Sequence, residues 1–169
     1  AANAEALHEI QDQLDAERAR RQAVLAEREQ APAFYAAAQQ LEADGELVAA
    51  WQRYQELRQS PAADIASQAA ADAARLSQRQ AAFQDRLAQL RQLMNEDLLG
   101  ANEAIDQALR EEARRWQAQA ELDQIAATIR HRRQADAAAF QALGERPAPA
   151  ALEAFLAQHA TAPEADQAR

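Results

Sequence analysis

Large apolar residues recur three or four positions apart along most of the chain, which is the spacing of one face of an α-helix. The clearest stripe lies between residues 76 and 94, where the intervals resemble those of a coiled-coil seam. Its members are Leu76, Phe83, Leu87, Leu90 and Met94. A looser stripe follows between Ile105 and Phe140. We therefore predict two long amphipathic helices in the middle of the chain.

Proline and glycine divide the rest of the pattern into shorter elements. The predicted order is an N-terminal helix in 1–30, a helix pair in 33–61, the two long helices in 62–145, a C-terminal helix in 149–160 and a frayed tail in 161–169. We expect these elements to form a single all-helical unit. The N-terminal helix is expected to be half-buried, because Glu17, Arg18 and Arg21 interrupt its apolar stripe. The members of that stripe are Leu7, Ile10, Leu14, Val24 and Leu25.

Two arrangements remain open for the long helices in 62–145. One is an antiparallel hairpin that turns within 95–102, with Asn102 as the N-cap of the second helix. The other is a continuous helix through Gly100, because a single glycine in a helix interior costs only about 1 kcal/mol. The apolar faces of these helices favour dimerisation through this pair, so we predict a homo-oligomer.

The composition narrows the fold class. Of the 169 residues, 49 are alanine and only 33 are valine, isoleucine, leucine, methionine or aromatic. So few large side chains argue against a compact multilayer core. Ala, Gln, Glu, Arg and Leu dominate, and these residues are strong helix formers. The predicted fold is all-α, with elongated helical hairpins in a coiled-coil-like bundle.

Charge and residue usage argue against several classes of protein. The net charge of −9 disfavours a nucleic-acid surface, which needs clustered positive charge. Two short basic clusters, at 18–21 and 130–133, are flanked by acidic residues. The chain has no cysteine, which excludes disulfides and thiolate chemistry. No apolar run approaches the roughly 20 residues of a transmembrane helix.

The sequence contains no recognisable catalytic or cofactor motif. The three glycines are too far apart to form a phosphate-binding loop. The three histidines, His8, His131 and His159, lie on separate predicted helices, and we expect them to be solvated surface residues. We therefore predict no catalytic residue, no metal site, no cofactor and no enzymatic activity.

Residues 33–61 resemble a tetratricopeptide repeat. Phe34, Ala37, Ala38 and Leu41 follow the spacing of its first helix, Gly45 falls at the turn between the helices, and Ala50 with Tyr54 follows the pattern of its second helix. In this frame Ala38 and Ala50 permit close contact, while Phe34, Leu41, Tyr54 and Leu57 fill the seam. Pro61 arrives one residue earlier than the usual closing proline. A degenerate second unit is indicated near 135–163.

The resemblance implies a protein-binding role, because stacked first helices of such repeats line a groove for a partner's peptide. It places Tyr35, Gln39 and Glu42 on that groove. The alternative is that they are ordinary surface residues, since one hairpin makes a poor groove. Trp51 is either a core residue or, if exposed, the best anchor for a partner.

The functional prediction is a non-enzymatic interaction or scaffold module that binds proteins through helix surfaces. The partner is not identified by the sequence. A cell-envelope or periplasmic location is predicted from the small polar start at residues 1–4, with a cytoplasmic location as the alternative. Two other functions remain open: an extracytoplasmic sensor or adaptor bundle from a membrane-anchored protein, and a helical nucleic-acid accessory protein.

Overall fold

The computed structural model describes residues 2–145 and 147–168. This part of the chain forms eight helices and no strand, which confirms the all-α prediction. The ends of the predicted first helix and tail, at Ala1 and Arg169, lie outside the described residues. The helices are α1 (Ala2–Ala43), α2 (Leu47–Leu57), α3 (Ala63–Glu96), α4 (Leu98–Glu103), α5 (Gln107–Arg115), α6 (Gln119–Ala142), α7 (Pro149–Gln158) and α8 (Ala165–Ala168).

The chain divides into two compact units, residues 1–78 and 79–169, where the sequence led us to expect one. The division falls within α3, so that its first half belongs to unit 1 and its second half to unit 2. Each unit has its own set of buried side chains. Helices with few large side chains bury them against immediate neighbours, which favours local packing over one shared core.

Unit 1 is built on a close contact between α1 and α2. Ala38 of α1 and Ala50 of α2 are fully buried, and Tyr54 and Leu57 lie beside them. Small residues at a helix crossing let the backbones approach, as the sequence predicted. Phe34 was expected to fill the same seam, and that expectation is wrong, because its side chain is 52% exposed.

A left-handed glycine ends α1, as expected from the sequence. Gly45 has a φ of 85°, which is a backbone conformation that glycine adopts without strain. Its amide donates to the carbonyl of Glu42, and the amide of Glu46 donates to the carbonyl of Leu41 at 2.9 Å. These two bonds form a Schellman motif, which satisfies carbonyls at the end of the helix.

Pro32 does not divide α1, which corrects the predicted break between 1–30 and 33–61. The helix is continuous from Ala2 to Ala43 with Pro32 inside it. A proline removes one amide donor from a helix but has a helical φ. Pro32 is exposed, so water can solvate the carbonyl that loses its donor. Packing of Ala31 and Ala38 in unit 1 fixes the helix on both sides of Pro32.

In unit 2 the second half of α3 presents its predicted stripe to the core. Phe83, Leu87 and Leu90 are buried, and Met94 is half-buried. The helix ends at Glu96, where Asp97 caps α4 by accepting from the amide of Gly100 at 2.9 Å. This break excludes the continuous helix through Gly100.

The predicted second long helix, from 101 to 143, is three helices. Asp106, not Asn102, caps α5, and its carboxylate accepts from the amide of Leu109 at 2.7 Å. Asn102 lies inside α4. Gln117, with a φ of 55°, closes α5 in the left-handed conformation. Aspartate caps and a left-handed residue therefore end helices where helix propensity predicted continuation.

The ion pairs of unit 2 give the direction of its helices. Arg79 contacts Glu112 and Arg86 contacts Asp106, so α5 runs antiparallel to the second half of α3. Arg91 contacts Glu121, and Arg132 donates to the carbonyl of Met94, so α6 runs in the same direction as α3. The helix that pairs antiparallel with α3 is therefore the short α5, and not the long second helix that the sequence predicted.

The C-terminal segment is more ordered than the sequence predicted. Helix α7 matches the predicted C-terminal helix, but the tail expected to fray contains α8. Ala162, Ala165 and Ala168 of this tail are buried. Phe155 and Ala162 form a cluster with Phe140, Leu143 and Leu152. Alanines can dock in this way because their small side chains lose no rotamer freedom on burial.

Candidate functional site: an unpartnered face of the first helix

Two of the predicted groove residues, Tyr35 and Glu42, take part in a polar network inside unit 1. The Tyr35 hydroxyl donates to Asp72 of α3 at 2.5 Å. Arg75 of α3 donates to both carboxylate oxygens of Glu42, at 2.7 and 2.8 Å, and to Asp72 at 3.1 Å. The Tyr54 hydroxyl donates to Glu42 at 3.2 Å. The network joins α1, α2 and α3, so both residues are engaged within the chain.

The network fixes the charges of its members. Hydrogen bonds from Arg75 lower the pKa of Glu42, which keeps this carboxylate ionised. The hydrogen bond to Asp72 raises the pKa of Tyr35, and burial together with the nearby Glu42 charge raises the pKa of Tyr54. Both phenols therefore remain neutral donors. This arrangement stabilises the packing of three helices.

The other two predicted partner-binding residues have different surroundings. The Gln39 side chain forms a hydrogen bond with Tyr35, a member of that network. Gln39 is exposed on α1, at the surface. Trp51 is half-buried, and its indole donates to the hydroxyl of Ser77 on α3 at 2.9 Å. Ser77 in turn donates to the carbonyl of Ala73 at 2.9 Å. Trp51 is therefore held against α3. Its partial burial is intermediate between the core residue and the exposed anchor that the sequence left open.

The N-terminal part of α1 carries a long exposed apolar stripe. All 24 residues from 7 to 30 are exposed, which corrects the predicted half burial. Leu7 is 66% exposed, Ile10 54% and Leu14 53%, and Val24 and Leu25 are exposed further along the helix. Between them lie Glu17 and Arg21, whose side chains form a 2.9 Å ion pair. The stripe follows the helix until Ala31, which is buried in unit 1.

Next to this stripe, unit 1 has a small open groove of about 250 Å³. Phe34 lies in it, beside Ala31, Leu57 and Pro61. Three charged residues, Glu27, Arg53 and Glu56, complete its lining. Phe34 is thus a second exposed apolar position on α1, nine residues beyond Leu25. Sequence reasoning missed this site because the tetratricopeptide frame assigned Phe34 to the interior.

The two basic clusters differ in the partners that the chain gives them. In the first, Arg18 pairs with Asp15 at 3.1 Å, and Glu17 pairs with both Arg20 and Arg21. In the second, Arg132 donates to the carbonyl of Met94 and to the side chain of Asn95. The acidic partners reduce the net positive potential that the first cluster presents to a phosphate backbone, whereas the neutral acceptors of Arg132 leave its charge in place.

His159 was expected to be a solvated surface residue, and that expectation is wrong. Its ring stacks on Phe155 with centroids 4.9 Å apart, and its Nδ1 lies 2.7 Å from a carboxylate oxygen of Asp136. The ring is therefore half-buried, between α6 and α7. Within residues 7–145 and 147–168, no cluster of three His, Asp or Glu side chains is placed to hold a metal ion.

The chain was compared with protein-family models, characterised proteins and solved structures, and none of the three comparisons gives a match. The tetratricopeptide-type hairpin at 33–61 and the degenerate unit near 135–163 therefore stay predictions. None of the helices in the described part of the chain combines the length and apolar character needed to cross a membrane.

Proposed function

We propose that this protein is a non-enzymatic interaction module that binds another protein chain through the exposed face of α1. One observation carries the proposal. Seven large hydrophobic side chains are exposed among the described residues, and six of them lie on α1: Leu7, Ile10, Leu14, Val24, Leu25 and Phe34. A concentration of exposed apolar side chains on one element is typical of interaction sites in soluble domains.

The stability of α1 supports the same proposal. Most helical stability in proteins comes from packing of an amphipathic face, and a lone helix in water is only marginally stable. Residues 7–30 have no such packing within the chain. A partner that covers the apolar stripe would supply it. The binding surface proposed here differs from the predicted groove, because Tyr35 and Glu42 already bind Asp72 and Arg75. A location in the cell envelope stays a prediction.

The proposal is tested with a triple variant, Leu7→Gln, Ile10→Gln and Leu14→Gln, which removes the apolar character of the stripe. These side chains are exposed, so the helical circular dichroism of unit 1 should persist. We expect the wild-type chain to associate, with itself in light scattering or with a protein captured from its source cells, and the triple variant to lose that association. Leu99→Gln is the matched control, because Leu99 is an exposed leucine on α4. A wild-type chain that neither self-associates nor captures a protein would contradict the proposal.

A further inference from the structure

The exposed stripe of α1 has the spacing of a two-stranded coiled coil. Beginning at Leu7, every third and then fourth residue lies on one line along the helix. The positions are Leu7, Ile10, Leu14, Glu17, Arg21, Val24 and Arg28. These are alternating a and d positions of three heptads, which is about the shortest length that a coiled coil uses. The two charged residues in the middle distinguish this seam from an ordinary apolar one.

We infer that the stripe pairs with α1 of a second copy of this chain, in the antiparallel direction. The inference rests on the proposed function and names its partner. In an antiparallel pair, each a position faces a d position of the other helix. If Arg21 of one copy faces Glu17 of the second copy, symmetry places Glu17 of the first against Arg21 of the second. The polar interruption thus becomes two complementary ion pairs around the two-fold axis.

The same register places one apolar pair on each side of the charged centre, while Leu7 falls opposite Ala31, which unit 1 already covers. With Glu17 opposite Arg21, Leu14 of each copy lies opposite Val24 of the other, on both sides of the charged centre. Ile10 lies opposite Arg28, whose aliphatic stem can cover it while the guanidinium reaches water. Leu25, next to Val24, widens the apolar contact. On each copy, Val24 and Leu25 form a shallow open concavity with the side chains of Glu17, Arg20 and Arg21.

Other pairings of the two helices oppose like charges or separate Leu14 from Val24. In a parallel dimer, Glu17 would face Glu17, and Arg21 would face Arg21. A shift of the antiparallel register by one heptad places Arg21 against Ile10 and Glu17 against Leu14 in one direction, or Arg21 against Val24 and Glu17 against Arg28 in the other. Either shift separates Leu14 from Val24. Repulsive or unpaired groups in the alternatives are how coiled coils select one partner and one direction. Charge complementarity therefore favours a second copy in the register stated above.

Two further arginines flank the centre of the seam. In the stated register, Arg18 approaches Arg18 of the second copy, and Arg20 approaches Arg20 of the second copy. Arg18 is bound to Asp15 of its own chain, and Arg20 lies 4.0 Å from Glu17. These acidic neighbours offset the repulsion across the two-fold axis. With only three heptads, we expect a weak dimer that forms at high protein concentration.

Sedimentation equilibrium of the full chain up to several hundred micromolar, in low salt, tests the charged centre. We expect Glu17→Arg alone and Arg21→Glu alone to raise the dimer dissociation constant by about tenfold or more. The double exchange, Glu17→Arg with Arg21→Glu, keeps the composition and restores wild-type dimerisation. Asp12→Arg is the matched control: it makes the same charge change as Glu17→Arg on the outer face of α1. Circular dichroism of each variant checks that α1 still folds.

Cysteine crosslinking tests the direction, because the chain has no native cysteine. An equimolar mixture of Leu14→Cys and isotopically labelled Val24→Cys chains should give the mixed disulfide under mild oxidation. Leu14→Cys alone should not crosslink, since its two copies would lie about 15 Å apart along the axis. A Leu14→Cys homodimer would indicate parallel helices and overturn the inference.

The remaining outcomes separate this inference from the proposed function. If neither Glu17→Arg nor Arg21→Glu changes the dissociation constant of the dimer, the inferred pairing through Glu17 and Arg21 is wrong. The proposed association through helix surfaces would stand. A chain that stays monomeric at all concentrations overturns the second copy as occupant. In that case, capture of a different protein that depends on Leu7, Ile10 and Leu14 would still support the interaction module.

Discussion

The carboxylate of Glu42 accepts the largest number of side-chain hydrogen bonds in the polar network of unit 1. It accepts from Arg75 through both oxygens and also from the hydroxyl of Tyr54. Hydrogen bonds to charged groups contribute more than neutral ones, and a bidentate arginine fixes geometry as well. One side chain of α1 therefore holds α2 and α3 in place.

Replacing this carboxylate by an amide should weaken unit 1. In Glu42→Gln the amide oxygen can still accept one bond, but the ionic contact with Arg75 is lost. We expect the free energy of unfolding at neutral pH to fall by about 1 kcal/mol, because the site is partly exposed to water. Urea unfolding monitored by circular dichroism gives the value. Glu56→Gln, which removes an exposed ion pair with Arg53, is the control and should change stability little.

The lowered pKa of Glu42 also predicts how stability depends on pH. Because the folded state favours the ionised carboxylate, its contribution is complete above the unfolded pKa, near 4.5, and is lost as the pH falls through the lower folded pKa. Glu112, whose pKa is lowered by Arg79, acts in the same direction in unit 2. We expect the wild type to lose more stability than Glu42→Gln between about pH 5 and pH 3. Equal losses in the two proteins would show that Glu42 does not contribute in this way.

At the scale of the elements, two helix ends share one motif but differ in the residue that closes it. Gly45 ends α1 and Gln117 ends α5, both with positive φ. At α5, the amide of Ala118 donates to the carbonyl of Ala113 at 2.7 Å, and the amide of Gln117 donates to the carbonyl of Arg114 at 3.0 Å. The bonding is that of a Schellman motif in each case. The glutamine is strained where the glycine is not.

This difference predicts opposite effects of two substitutions. Gln117→Gly should raise the free energy of unfolding by about 0.5–1 kcal/mol, because relief of the left-handed strain exceeds the added freedom of the unfolded chain. Gly45→Ala should lower it by about 1 kcal/mol or more, because it introduces that strain. Thermal or urea unfolding measures both. A loss of stability in Gln117→Gly would mean that the exposed Gln117 side chain makes a contribution greater than the strain.

The contact between α1 and α2 gives a second prediction at this scale. Ala38 is fully buried against α2, whereas Ala37 is exposed. A larger side chain in a closely packed contact forces the backbones apart and typically costs about 1–3 kcal/mol. We expect Ala38→Leu to lower the free energy of unfolding, measured with urea, by an amount in that range and so to lower the urea midpoint. The control Ala37→Leu should leave the midpoint nearly unchanged. Similar midpoints for the two variants would contradict the close approach of these helices.

The elements also show what could be predicted from the sequence. The buried stripe of α3 and the ends of α2 and α7 followed from apolar spacing and from Gly45, Pro61 and Pro149. The breaks before α5 and α6 did not, because their signals, Asp106 and Gln117, are also common inside helices. Pro32 misled in the opposite direction, since packing in unit 1 outweighs its local preference.

The site was less accessible to sequence reasoning than the fold. Tyr35 and Glu42 bind residues 37 and 33 positions further along the chain, so no local pattern could show that they are engaged. The apolar stripe at 7–25 was visible as a pattern. Its full exposure was not, because exposure depends on which helices pack elsewhere in the chain.

At the scale of the whole molecule, packing is distributed unevenly along a single helix. The C-terminal part of α1 has buried residues at Ala31 and Ala38, while residues 7–30 are exposed throughout. Local stability follows such packing, because backbone amides in an unsupported helix open without disturbing a core. The first helix should therefore behave as two segments that meet near Pro32.

Hydrogen exchange measured by mass spectrometry tests this division. In dilute protein, we expect peptides from 7–30 to exchange at least about a hundred times faster than peptides from 35–43 and 69–90, since marginal isolated helices protect their amides little. Raising the protein concentration should slow exchange in 7–30 if a second copy covers the stripe, and Glu17→Arg should abolish that slowing. Exchange in 69–90 serves as the internal reference, because Ala69, Leu76, Phe83 and Leu87 are buried within the chain. Slow exchange in 7–30 at every dilution would show that this segment is stable without a partner, and would remove the energetic argument for one.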